Sequence, residues 1–153
     1  MMLIVFCLFI GIIAGLRAMT APAAVSWAAA LGYIDLSETW LAFLGFRFTP
    51  WIFTLLALGE LVTDQLPSTP SRKVAVQFAA RIVMGGLSGA ALGASGGMLV
   101  AGAVVGAVGA VIGTLGGASL RARLTAMFGR DLPAALIEDA VAVVGAALIV
   151  GGL

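Results

Sequence analysis

Leu16-Arg17-Ala18-Met19-Thr20-Ala21-Pro22 breaks an apolar N-terminus with one cation and one proline. How this stretch is read decides the fold. The run before it, from Met2, is apolar, but a helix over it reaches only about 22 Å, short of a hydrocarbon core of about 30 Å. A second apolar run follows, to Tyr33. Thr20 is placed to cap a helix whose first turn holds Pro22, where a missing N–H does no harm. The stretch therefore predicts a broken element: two short helices joined near Arg17. They form either a hairpin or one kinked span; a single tilted helix with a proline kink is the simpler alternative. The first residues lack the basic start of a secretory signal, so a retained helix is expected.

Composition sets the medium. The chain has 153 residues, 62% hydrophobic and 10% charged, with a mean hydropathy of +1.19. A soluble domain carries about 25% charged residues. The polar residues here are too few to clothe a surface facing water, so the lipid bilayer is the expected partner. A net charge of +1 suggests no nucleic-acid partner. There is no histidine, and Cys7 lies within an apolar run, so a zinc site of the Cys/His type is excluded. The sequence requires no cofactor.

Outward from the break, Asp35-Leu36-Ser37-Glu38 reads as an acidic loop. Thr49-Pro50 repeats the cap-and-proline start and opens a span over 50–66, with an extension back to Trp40 as an option. Residues 67–73 form a loop, 74–95 the next span, Gly96-Gly97 a turn without charge, and 98–118 another span. Arg121, Arg123 and Arg130 follow, and Asp131-Leu132-Pro133 opens a last span that runs to the C-terminus. Basic loops mark the cytoplasmic side. Arg72 and Lys73 then share that side with the later arginines, and the acidic loop, the Gly96-Gly97 turn and the C-terminus face outward. A hairpin over the first 33 residues puts the N-terminus outward as well; one crossing puts it inside. Trp27, Trp40 and Trp51 are expected as interfacial anchors or packing.

Two spans carry glycine ridges. Gly85, Gly89, Gly93 and Gly97 recur every fourth residue, and Gly102, Gly106, Gly109, Gly113 and Gly116 alternate spacings of four and three. Small residues on one helix face let backbones approach closely in lipid. The two spans are expected to pack together through these faces, or to form a homo-oligomer with a second copy. No strand precedes the glycines and no P-loop lysine follows them, so they bind no nucleotide.

Ionisable groups within spans are costly and mark function by default. Glu60 and Asp64 share a helix face, being four residues apart, and lead into Pro67-Ser68-Thr69-Pro70-Ser71-Arg72. Arg81 lies about 12 Å into the next span, and Glu138 about 9 Å into the last, with adjacent Asp139 slightly deeper. All enter from one side and can meet in one layer, which Arg17 joins in the hairpin arrangement. Glu60, Asp64 and Glu138 are the expected cation or proton ligands (and the ligands of a metal, if one binds), with Asp139 assisting and Arg17 and Arg81 balancing charge. The competing reading is an ion-pair network that sets helix register. Thr69, Ser71 and Arg72 offer hydroxyls, a helix N-terminus and a cation to an anion or lipid headgroup.

Gly15-Leu16-Arg17-Ala18-Met19-Thr20 with Pro22, Gly59-Glu60 through Asp64 to Arg72, Ala80-Arg81 and Leu136-Ile137-Glu138-Asp139 together resemble an uncharacterised bacterial membrane family, domain of unknown function 4126. The pieces spread over nearly the whole chain, and the stretch from Glu60 to Arg72 is the most specific. The resemblance implies a short multi-pass inner-membrane protein and brings no reaction or substrate.

The expectation is one all-α transmembrane domain over 1–153, a polytopic protein of five or six helices with a broken first element. An echo, Arg17…Pro22-Ala23-Ala24 and Arg130…Pro133-Ala134-Ala135, hints at the repeated halves of transporters. The leading function is a transporter or channel for an ion or small solute. The alternatives are a lipid-handling protein using Arg17, Arg72 and Arg81, or a structural assembly protein. No nucleophile–base pair stands out, so an enzyme is less expected.

Overall fold

The computed structural model describes residues 1–65 and 74–153, and the described residues form six α-helices and one 3₁₀ turn. They are α1 (Met2–Leu16), α2 (Thr20–Ala30), α3 (Thr49–Thr63), α4 (Ala75–Ala94), α5 (Leu99–Phe128) and α6 (Asp131–Gly151), with the 3₁₀ turn at Trp40–Gly45. Three of them, α4, α5 and α6, are long and apolar enough to cross a membrane; α1 and α3 are shorter apolar helices. The class is all-α among the described residues, as expected from the apolar runs.

The Arg17 break is a hairpin. Arg17 is extended (φ −141°, ψ 109°) and ends α1. A Cβ added at Gly15 would meet Ala110, Gly113 and Thr114, and one at Gly96 would meet Leu3, so α1 runs parallel to α5. Gly145 faces Ile13 and Gly152 faces Phe6, so α6 runs opposite to α1. The α2 stretch from Thr20 to Trp27 lines one cleft with the α6 stretch from Val143 to Val150. Trp27 bonds Thr54 while Glu60 bonds Ala18, so α3 returns antiparallel to α2. Helix α2 therefore doubles back, away from the level of Arg17, and the simpler picture of a single tilted helix does not hold. Both ends of the chain lie on the face of the Gly96-Gly97 turn; Arg17 and the ends of α3 and α5 lie towards the other.

Glycine sets the centre. Cβ atoms at Gly89 or Gly106 would overlap the carbonyl oxygens of Gly102 or Gly85, so α4 and α5 touch backbone to backbone. The α5 stripe then turns to a second partner. Gly109 and Gly113 lie against the Leu8 and Ile12 carbonyls of α1, whose own Gly11 and Gly15 seat on Gly106 and Ala110. The sequence pairs α4 with α5 readily; that α1 shares the same stripe is new. Within that stripe, only Gly116 has nothing within 4 Å among the described residues. Cys7, Ile10, Ala14, Ala91 and Leu92 fill the core around these contacts.

Three local expectations fail for identifiable reasons. Helix α5 continues past 118 to Phe128, because Leu120, Ala122, Leu124 and Ala126 separate the arginines with good helix formers. The 3₁₀ turn and a break at Phe46 keep α3 from extending back to Trp40. Thr20 and Thr49 do not cap their helices: each is the first helical residue, and the Thr49 hydroxyl donates to the Phe43 carbonyl at 2.6 Å. Trp27 and Trp51 pack edge to face, 5.0 Å between centroids, tying α2 to α3, while Trp40 is exposed.

Gly106→Ala should lower the thermal stability of the detergent-purified protein by about 1–3 kcal/mol, the usual cost of forcing extra atoms into a packed core. Gly116→Ala should not. Equal melting temperatures for the two variants would contradict this packing.

Candidate functional site

The hairpin tip gathers the charges. Ending α1 at Leu16 and starting α2 at Thr20 leaves orphan carbonyls on one side of the break and orphan amides on the other. The Arg81 guanidinium of α4 answers the first: its Nη1 donates to the Gly15 and Leu16 carbonyls at 2.9 and 2.8 Å. The Thr114 hydroxyl adds a bond to Gly15 O at 3.3 Å. The Glu60 carboxylate of α3 answers the second, accepting the amides of Ala18 and Met19, one per oxygen, at 2.8 Å each. A cation thus sits at the C-terminal end of α1 and an anion at the N-terminal start of α2, as both helix dipoles favour.

Arg17 itself is fully buried. Its Nη1 pairs with Asp64 at the end of α3, and its Nη2 with Asp139 on α6; Nε donates to the same Asp139 oxygen at 2.6 Å. The second Asp139 oxygen accepts from Gln65 at 3.1 Å. Arg81 Nη2 lies 3.6 Å from Glu60 and 3.8 Å from Asp64. Among the described residues, two guanidinium groups therefore face three carboxylates. Arg17 is wholly enclosed, whereas the side chains of Asp64 and Asp139 keep 15% and 13% exposure.

Of the expected residues, the structure brings together Arg17, Glu60, Asp64, Arg81 and Asp139. Glu138 is displaced from this set. Neighbours on a helix point about 100° apart, and it is Asp139 that faces Arg17. Glu138 turns to Arg121 of α5, 3.4 Å away, which also holds Asp131 through two bonds of 3.0 and 2.7 Å. Asp139, expected only to assist, is therefore the α6 carboxylate that meets Arg17, and Glu138 is not. Glu60, Asp64 and Glu138 do not form one ligand set, and among the described residues no three acidic, His or Cys side chains converge to hold a metal. Thr69, Ser71 and Arg72, the expected anion or headgroup residues, lie outside the described residues.

Sequence reasoning missed Gln65, the backbone partners of Glu60 and Arg81, and the Arg121 pair. Gln65 follows Asp64 directly and carries a long donor, so it was findable. Backbone amides and carbonyls leave no mark in a sequence.

A cleft of about 430 Å³ opens between α2 and α6, lined by Thr20, Ala23, Trp27, Tyr33, Val143 and Ala147 among others. It is mostly apolar and begins one helical turn above Asp139. The buried Thr20 hydroxyl at its charged end has no partner among the described residues.

Compared with family models, curated proteins and solved structures, the chain matches none.

Arg17→Gln should destabilise the purified protein by about 3–5 kcal/mol, because it leaves two carboxylates without their buried cation. Adding Asp64→Asn and Asp139→Asn to it should recover much of that loss in thermal unfolding. If the single variant keeps the wild-type melting temperature, Arg17 does not hold the hairpin tip.

Proposed function

We propose that this chain is a multi-pass protein of the bacterial inner membrane, with five or six helices in the bilayer, that carries a proton or small cation across it. The observation that carries this reading is the buried Arg17 shared by two partly exposed carboxylates. Among the described residues, Arg17 and Arg81 face Glu60, Asp64 and Asp139 at the hairpin tip, and carboxylates gathered within a membrane protein are groups that commonly mark the path of a proton or a cation. Protonation of Asp139 or Asp64 removes one of the two charges that hold Arg17, and so loosens the tip from α3 or α6. That couples occupancy of the carboxylates to the position of a broken element, the arrangement that many carriers use. Pro22 and Pro133 are each the third residue of a helix that starts at the charged end, which fits the sequence echo between α2 and α6.

A second reading is a charge lock without cargo. It is favoured by the completeness of the pairing: every carboxylate of the set has a cation, and Glu60 also has two amides. In this reading the network only fixes the hairpin.

Reconstituted vesicles with an internal pH dye, tested with and without alkali-cation gradients, separate the two. Asp64→Asn and Asp139→Asn should reduce flux to the level of empty vesicles while the protein still inserts, and Glu138→Gln should retain it. Wild-type vesicles no leakier than empty ones, with the variants simply less stable, would leave the lock standing and the carrier refuted.

A further inference from the structure

Helix α5 is longer than a membrane needs. Its 30 residues reach about 45 Å against a hydrocarbon core of about 30 Å. The excess lies at one end. Thr114 is already level with the end of α1, and α5 continues for four further turns, to Phe128, before Gly129 (φ 68°) reverses the chain into α6. This projecting end has two kinds of exposed group. Leu120, Met127, Phe128 and, across the turn, Leu132 are large apolar side chains with 48–78% exposure. Arg123 and Arg130 are exposed cations that pair with no carboxylate among the described residues, whereas neighbouring Arg121 is engaged by Asp131 and Glu138.

We propose that the α5–α6 tip is a binding surface for anionic phospholipid headgroups. Along α5, Leu120, Arg123 and Met127 recur at intervals of three and four and share one helix face; Arg130 follows the Gly129 reversal and precedes α6 beside Asp131 and Leu132. Cations and apolar groups thus stand together at the tip, where the hydrocarbon ends and the headgroups begin. A surface facing water would leave four large apolar side chains exposed, and one facing hydrocarbon would leave two cations unpaired. The headgroup layer satisfies both, and a negative headgroup supplies the missing counter-charge. Asp131, next to Arg130 in the chain, is already taken by Arg121. Arg47 serves as an internal comparison. It is also exposed, but it lies on the other face of the molecule and stacks on the Phe48 ring at 5.6 Å.

The test is thermal unfolding of the full chain in neutral detergent, titrated with phosphatidylglycerol or with phosphatidylcholine. Phosphatidylglycerol should raise the melting temperature of the wild type and of Arg47→Gln, and phosphatidylcholine should not. In the double variant Arg123→Gln/Arg130→Gln the half-saturating phosphatidylglycerol concentration should rise about thirty-fold, at about 1 kcal/mol per arginine. High salt should weaken the wild-type response. Inorganic phosphate should not reproduce it, because it lacks the acyl chains that the apolar side chains contact. An unchanged titration in the double variant, an equal response to phosphatidylcholine, or an effect lost in Arg47→Gln instead would each overturn the assignment. If phosphate alone stabilises to the same extent, the site is for a free anion and the lipid proposal fails.

Discussion

A guanidinium at the bend of a helical hairpin, held between carboxylates from two other helices, is the constraint on which this molecule depends. Arg17 is fully buried, in a chain with 10% charged residues. Such a group stays ionised only with partners at hydrogen-bond distance, because an isolated charge in low dielectric costs far more than any packing gain. Asp64 and Asp139 supply them. Since these residues end α3 and lie near the start of α6, meeting the need of one side chain places three segments in register. The same bend frees backbone groups that lipid cannot satisfy. Arg81 and Glu60 take them up, which brings in α4 and ties α3 a second time.

Around that charged end the packing is made of very small residues. Hydrophobic burial does not drive helices together in lipid, so close approach and dispersion must do it. The glycines of α5 allow this on two sides at once, against α4 and against α1. The hairpin is thereby held along its first arm by backbone contact and at its tip by charge. The second arm, α2, is held differently: by Trp27 against Trp51 and Thr54, and across a loosely filled cleft from α6. One arm is seated backbone to backbone, and the other borders free volume.

Much of this was legible in order along the chain. The apolar runs, the break at Arg17 and the glycine ridges follow from local pattern. So does the expectation that Glu60, Asp64, Arg81, Glu138 and Asp139 meet in one layer, joined by Arg17 in a hairpin; all but Glu138 meet around Arg17 and Arg81. Less was legible at helix ends. The threonines at Thr20 and Thr49 resemble caps because local pattern allows it, but Glu60, forty residues away, reaches the amides before α2. The amides just before α2 are thus met by a carboxylate from another helix, a partner that no local pattern shows.

By itself the sequence determined the medium, the all-α class and the residues rich enough in chemistry to form a site. Those follow from transfer free energies and helical periodicity, which act along the chain. Only the tertiary structure decided between hairpin and kinked span, and between Asp139 and Glu138 as the partner of Arg17. The two carboxylates are adjacent and chemically alike. Which of them meets the guanidinium is set by the rotation of α6 about its own axis, and that rotation is fixed by packing against α1 and α5.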